Sequence, residues 1–236
     1  MTKRESTIRQ YGPAAERRTI PAANLGALMD GGKPVRLAGY AAVFNKASVD
    51  LGGFVEVIEA GAFASALRKT PDVRALYNHN PDHVLARTKS GTLTLREDDT
   101  GLAILATLPD TELARNLAVS VERGDIDAMS FAFDLGKTGE GDVWERAAGG
   151  GYIRRIRKIA NLYDVSVVTY PAYPDTSVAL RELADVKAGR RKARPESAES
   201  AAIRRRIHAA KTDALRKRVE QAVEQARKWG VLKERP

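Results

Sequence analysis

Short runs of alternating apolar and polar residues fill the chain between Val35 and Val178, and they limit what it can fold into. Alternation sends successive side chains to opposite faces of an extended strand. A domain with this many short strands must protect the edges of its sheets. We therefore expect an α+β, β-rich domain built as a closed or nearly closed antiparallel β-barrel. The seven runs are VRLAGYAAVF, GFVEVI, VRALYN, GTLTLRE, GLAILATL, IDAMSFAFD and LYDVSVVTY.

Helices and turns are predicted between these runs. GAFASALRK and TELARNLAVSVERG have helical spacing, and the second begins after a capping residue, Thr111, and ends at Gly124. DDTG between two runs indicates a tight hairpin, because Asp and Gly tolerate the dihedral angles of such turns. The glycine-rich stretch 136–155 is typical of an exposed hairpin or a flexible loop. The barrel should therefore carry a few flanking helices.

Composition divides the chain into three parts. Residues 1–30 are polar and predict a loosely ordered arm with a first strand near Arg17–Ile20, and residues 31–182 form the folded domain. Residues 183–236 predict a basic linker followed by an amphipathic helical tail. The last 56 residues hold 17 Lys and Arg against 8 Asp and Glu, which accounts for the whole net charge of +9. An electrostatic partner would therefore be bound mainly by the tail.

Several classes of protein are excluded by composition. The chain has no cysteine, so disulfides, thiolate metal sites and cysteine nucleophiles are ruled out. No apolar run approaches the roughly 20 residues that a membrane helix needs, and the N-terminus lacks the apolar segment of a signal peptide. We expect a protein that is neither membrane-bound nor exported.

Ser130 is the first candidate catalytic residue. In DAMSFAF the apolar side chains of Met129, Phe131 and Phe133 alternate with it, so these three can anchor a strand while the Ser130 hydroxyl points the other way. A serine on a strand is most often an ordinary polar residue. A nucleophilic serine needs a base nearby, because a neutral alcohol is a poor nucleophile at pH 7.

His79 and Asp164 could supply the base and the acid. Histidine can take and return a proton near neutral pH, and His79 lies in ALYNHNPDH. Asp164 begins a strand in which Ser166 shares its face, while Tyr163, Val165 and Val167 lie on the other. A carboxylate there could hold the imidazole in one tautomer and stabilise its cation.

Two alternatives for these residues remain open. His79 and His83 have the spacing of zinc ligands on a helix, but Pro81 between them disfavours a helix, and no further histidine completes a site. We therefore predict no metal and no cofactor. His83 or Asp134 could also be the third catalytic residue in place of Asp164.

Six motifs, in order, resemble the prohead maturation proteases of tailed bacteriophages over residues 35 to 180. They are AGYAAVFN, DLGG, E-x-I-x-x-GAF, the NH of ALYNHNPDHVLART, the MSFAF serine motif and DVSVVTYPAYP. Two positions depart from the family: Ala60 stands where proline usually precedes GAF, and Asp164 stands where the family generally has glutamate.

The resemblance implies a serine endopeptidase related in fold to the herpesvirus assembly protease, with Ser130, His79 and Asp164 as its triad. Such an enzyme would cleave the scaffold segment, extensions of the major capsid protein and itself inside the assembling prohead, in the host cytoplasm. The sequence does not locate the oxyanion hole; Arg87 and the turns near Pro171 are candidate positions.

The opposing interpretation is a non-catalytic capsid-assembly or scaffold protein that acts through its basic tail. For that tail, self-association or docking on the body is favoured over binding to an acidic protein surface. Nucleic-acid binding is favoured least, because the tail has little aromatic interleaving.

Overall fold

The computed structural model describes residues 11, 12, 14–21, 25–69, 71–137, 139–170, 177–209 and 213. Two compact units divide the chain, Met1–Pro195 and Glu196–Pro236. In the second unit a helix spans residues 198–209, and most of the expected tail helix beyond it lies outside the described residues. The sequence-based boundary after residue 182 stays a prediction. Among the residues that the structure describes, no helix is long and apolar enough to cross a lipid bilayer.

The first unit alternates many short strands with a few helices. The helices are α1 (Ala64–Arg68), α2 (Glu112–Glu122) and α3 (Ser177–Lys187). The strands are β1 (Glu16–Pro21), β2 (Gly26–Asp30), β3 (Lys33–Val43), β4 (Phe54–Ile58), β5 (Arg74–Tyr77), β6 (Asn80–Arg87), β7 (Leu93–Glu97), β8 (Gly101–Thr107), β9 (Ala128–Asp134), β10 (Asp142–Arg146), β11 (Tyr152–Ile156), β12 (Asn161–Val168) and β13 (Arg194–Pro195).

These strands form three open sheets. The first has the order β1-β9-β12-β5-β6, the second β13-β10-β11-β4 and the third β2-β3-β8-β7. No sheet closes among the residues that the structure describes, so the expected closed or nearly closed barrel is wrong, while the β-rich α+β class is confirmed. The pairing is also mixed, because β5 runs parallel to β12 and β4 runs parallel to β11.

Edge strands explain why closure is unnecessary. Strand β6 ends the first sheet and contains Pro81, which lacks the N–H group that an added strand would require. Strand β13 is only two residues long and includes Pro195. Short edges and edge prolines resist further pairing. Closure was expected as the remedy for exposed edges, whereas in this chain the edge strands β6 and β13 themselves resist pairing.

The main hydrophobic core lies on the face of β9 that alternation predicts. Met129, Phe131 and Phe133 are at most 1% exposed, and the ring of Phe63 meets Phe131 edge to face at 5.4 Å. Helix α2 begins as expected, since the Thr111 hydroxyl accepts a hydrogen bond from a backbone N–H of its first turn. The predicted DDTG hairpin is also present, as the turn between β7 and β8.

The glycine-rich stretch 136–155 forms a hairpin of β10 and β11, but this hairpin is not an exposed one. Trp144 is 1% exposed and its ring contacts Phe54 at 5.1 Å, while Arg154 is completely buried. Helix α3 packs on this hairpin through Leu183, in a second apolar cluster. Burial of Arg154 requires partners for its charge.

Arg154 lies at the centre of a buried cluster of charges. Its guanidinium is hydrogen-bonded to Glu16 of β1, to Glu56 of β4 and to Asp142 of β10, at 2.6 to 3.0 Å, and it is also bonded to Glu182 of α3 at 2.9 Å. A second arginine, Arg18 of β1, binds Glu56 through two further bonds, and Arg191 pairs with Asp142 and Glu182. The cluster therefore ties β1 of the first sheet to the second sheet and to α3.

We predict that Arg154→Met strongly destabilises the fold. The substitution removes the buried cation that four carboxylates of the cluster share, and breaking such a cluster costs about 3–5 kcal/mol. Chemical denaturation measures the free energy of unfolding. Arg123→Met is the control, because Arg123 pairs with Asp125 on the surface and its loss should cost less than about 1 kcal/mol. Equal effects of the two substitutions would contradict the role of the cluster.

Glu182 should make stability depend on pH. Burial and the negative charge of Asp142 raise the pKa of its carboxyl to about 7, against the attraction of Arg154 and Arg191. A carboxyl whose pKa is higher in the folded than in the unfolded state contributes stability at pH values below the unfolded pKa. For Glu182 this stability is lost as the pH rises through about 7.

Glu182→Gln should therefore remove part of the decline in stability between pH 5 and pH 8, on the order of 1–3 kcal/mol. Thermal and urea unfolding at both pH values give the comparison. Glu59→Gln, which removes the partner of Arg155 on β11, controls for loss of an ion pair as such. A decline in Glu182→Gln as steep as in the wild type would show that other groups cause it.

Candidate active site

The pairing of β9 with β12 sets the positions of two serines and a carboxylate. Ser130 lies directly opposite Ser166, and Ala132 lies opposite Asp164. A β-bulge falls between Leu162 and Asp164, so Tyr163 is an extra residue in the ladder. The expected common face of Tyr163 and Val165 is therefore wrong: Val165 joins the core, whereas Tyr163 stacks outside it on Tyr11 at 4.8 Å.

His79 lies in the two-residue turn between β5 and β6. Asn78 and His79 both have φ of about 55°, in the left-handed region, and Tyr77 pairs with Asn80 across the turn. Two central residues with positive φ define the tight hairpin turn that suits the twist of antiparallel strands. Non-glycine residues in this region are strained and occur often at functional sites. The turn projects the imidazole beside β12 instead of along β6.

Asn78 fixes this turn to the end of β12. Its backbone N–H donates to the carbonyl of Val167 at 2.8 Å. Its side-chain oxygen accepts from the backbone N–H of Thr169 at 3.0 Å, and its amide donates to the hydroxyl of the same residue at 3.2 Å. The hydroxyl of Tyr77 also contacts Thr169, at 2.8 Å. The strained turn is thus held by bonds from the two residues that precede His79.

The structure brings the three predicted site residues together. His79 Nε2 lies 2.6 Å from Ser130 Oγ, and His79 Nδ1 lies 2.7 Å from Asp164 Oδ1. A carboxylate only accepts, so Nδ1 carries the proton, and Nε2 of the neutral ring then accepts the hydroxyl proton of Ser130. This is the arrangement in which a base activates a serine and an acid orients the base.

The Asp164 carboxylate is completely buried and has a donor on each oxygen. Ser166 Oγ donates to Oδ1 at 2.6 Å, and the hydroxyl of Tyr11 donates to Oδ2 at 2.6 Å. Burial by itself would raise the pKa of this carboxyl. Attraction to His79 and the hydrogen bonds from His79, Ser166 and Tyr11 outweigh burial, and the pKa lies below its ordinary value. Asp164 is therefore ionised at neutral pH.

The site is enclosed. Ser130 and Asp164 have no exposed surface, and His79 is 6% exposed. A dry environment strengthens the interaction of the carboxylate with the imidazole. It also means that neighbouring residues must move before a peptide carbonyl can reach Ser130.

The alternative residues have other partners. His83 lies against the ring of Tyr77 and accepts a hydrogen bond from Asn80 at 3.3 Å. Asp134 accepts bonds from Asn161, Tyr163 and a backbone N–H. Within the described part of the chain, no group of three or more His, Asp or Glu side chains could hold a metal ion.

The oxyanion hole stays unassigned. The guanidinium of Arg87, one candidate position, donates two hydrogen bonds to Asp72, at 2.5 and 2.6 Å. The turns near Pro171 lie outside the described residues.

Sequence reasoning missed three contributors to the site. Ser166 had a signal, because alternation put it on the face of Asp164. Asn78 had a weaker one, since asparagine tolerates the left-handed region. Tyr11 had none: it lies in a polar arm without periodicity.

A protein family and a solved structure are similar to this chain. The family model described as caudovirus prohead serine protease matches residues 27–189, which is more than half of the chain. Among solved structures, the capsid assembly protease gp21 of bacteriophage T4 is similar at 13% identity with a TM-score of 0.40, over 65% of this chain and 96% of that one. A sequence comparison with curated proteins finds no match.

The family match covers the strands and the turn that carry Ser130, His79 and Asp164, but not Tyr11. Because this match covers more than half of the chain, the chain belongs to the caudovirus prohead serine protease family.

Proposed function

We propose that this protein is a serine endopeptidase in which Ser130 is the nucleophile, His79 the general base and Asp164 the orienting acid. One observation carries the proposal: an unbroken line of hydrogen bonds runs from Ser130 Oγ through both nitrogens of His79 to Asp164 Oδ1. The three side chains come from distant parts of the sequence. Such an arrangement is recognised by geometry and not by residue order.

The chemistry follows from this line of bonds. Ser130 Oγ attacks the scissile carbonyl carbon while His79 Nε2 takes the hydroxyl proton. His79 then gives this proton to the departing amine, and the C–N bond breaks to leave an acyl group on Ser130. Water, deprotonated by the same nitrogen, then attacks the acyl carbon. The ester bond to Ser130 breaks, His79 returns the proton to Ser130 Oγ, and the acid product leaves. The imidazolium formed in both steps is stabilised by the ionised Asp164.

Family membership favours capsid maturation as the biological role. We propose that the substrates are the scaffold segment and an extension of the major capsid protein, cut within the assembling prohead in the host cell. Self-cleavage and self-association are part of this proposal. The tail beyond the linker would deliver the enzyme to the assembling shell.

We predict that Ser130→Ala abolishes cleavage and keeps the fold. Removing a nucleophile costs about 10⁶-fold in kcat, and alanine fits a buried strand position. His79→Ala should have a similar effect, and the double variant should be scarcely worse, because triad members act as a unit. Single-turnover cleavage of a capsid precursor gives the rates. Retained cleavage by a folded Ser130→Ala protein would remove Ser130 from the mechanism.

Asp164→Asn should reduce kcat on the order of 10⁴-fold, because an amide no longer holds the productive tautomer of His79. Asp134→Asn is the matched control: it is also a buried aspartate at the same sheet, yet it contacts neither His79 nor Ser130 in the structure. Both variants are assayed for cleavage and for thermal unfolding. If Asp134→Asn were the inactive one, the acid would be Asp134.

The choice of substrate is tested by co-expression. The chain and its Ser130→Ala variant are each produced with the capsid precursor and scaffold of the same phage, and the products are identified by mass spectrometry. Cleavage by the wild type alone, at defined bonds, supports the proposed role. Full-length capsid precursor in both cultures would exclude it.

A further inference from the structure

Tyr11 lies outside the residues that the family model matches, yet it reaches the centre of the site. Its hydroxyl lies 2.6 Å from Asp164 Oδ2, the oxygen that neither His79 nor Ser166 contacts at hydrogen-bonding distance. A buried carboxylate oxygen that accepts no hydrogen bond lowers the stability of the folded state. Tyr11 therefore completes the set of donors around Asp164.

The ring of Tyr11 is itself held in place. It stacks on Tyr163 with centroids 4.8 Å apart and planes 6° apart, and the guanidinium carbon of Arg17 lies 5.9 Å from its centroid. Tyr163 can meet it because the bulge in β12 turns that ring out of the core. Two features of the fold, the bulge and strand β1, thus converge on one phenol.

The phenol of Tyr11 stays protonated, and therefore stays a hydrogen-bond donor, across the pH range in which a protease works. Burial raises the pKa of Tyr11 well above its ordinary value, and the charge of Asp164 raises it further, against the smaller opposing effects of Arg17 and Arg74. His79 also faces Asp164, and Arg74 of β5 pairs with Asp164 across the sheet. A permanently protonated phenol draws negative charge toward Oδ2 and limits rotation of the carboxylate.

Building on the proposed function, we propose that Tyr11 is a positioning residue of the active site: its hydroxyl fixes Asp164 so that Oδ1 stays aimed at His79, which in turn faces Ser130. The segment before the family-matched region would then be a working part of the enzyme. Tyr11 acts through Asp164 and touches no reacting atom.

The pair of stacked tyrosines provides a matched test. Tyr11→Phe removes the hydroxyl that binds Asp164, and Tyr163→Phe removes a hydroxyl that binds Asp134 while the stack remains possible. In Tyr11→Phe we expect kcat to fall roughly tenfold with KM unchanged. Without this donor the carboxylate holds the imidazolium proton more strongly, so the acid limb of the kcat/KM profile should move about half to one unit to higher pH.

A second readout does not depend on catalysis. The proton on His79 Nδ1, observed by NMR in the inactive Ser130→Ala background, should change its chemical shift when Tyr11→Phe is added and should stay unchanged with Tyr163→Phe. Thermal unfolding of each variant shows whether the fold is kept.

The outcomes separate the two proposals. A folded Tyr11→Phe protein with the wild-type pH profile and an unchanged Nδ1 proton would overturn the role of Tyr11. Equal effects of both substitutions would also overturn it, since ring packing and not the hydroxyl would then matter. Cleavage that survives Ser130→Ala would refute the proposed function and, with it, the catalytic role of Tyr11. The NMR shift would then report only the contact between Tyr11 and Asp164.

Discussion

The register between β9 and β12 is the constraint on which the rest of the site depends. It places Ser130 opposite Ser166 and brings Asp164 level with Ala132. A slip of one residue would send every side chain of a strand to the opposite face. The apolar side chains of β9 prevent such a slip, because it would move Phe131 and Phe133 out of the core and the hydroxyl of Ser130 into it. Core packing thus positions the candidate nucleophile.

The buried charge cluster performs a related task on the other side of β9. Strand β1 pairs with β9, and Glu16 and Arg18 fasten β1 to the second sheet through Arg154 and Glu56. A buried ion pair adds little net stability compared with apolar residues of similar volume. Its directional bonds do define one arrangement of strands. Tyr11 lies a few residues before β1, so the cluster also constrains the segment that reaches Asp164.

Sequence reasoning found the features that depend on local pattern. Alternation in β9, the capped start of α2 and the DDTG hairpin are all present, because each is determined by neighbouring residues. The three candidate site residues were identified through motifs, and the structure brings them within hydrogen-bonding distance.

Features that depend on distant residues could not be predicted. The bulge at Tyr163 breaks alternation without a sequence signal, and the carboxylate partners of Arg154 come from four separate elements. The barrel was expected from the number of strands, but strand number does not determine which edges pair. The hydrogen bond of Tyr11 joins residues 153 positions apart, with no periodicity to indicate it.

The turn that carries His79 has a consequence for how this chain can vary in length. Loops elsewhere in a fold commonly absorb insertions and deletions. Here the turn has only Asn78 and His79 between paired residues, and both adopt left-handed backbone angles. Adding or removing one residue would change the turn type and rotate the imidazole away from Asp164. In natural variants of this chain, length changes should therefore be absent between β5 and β6.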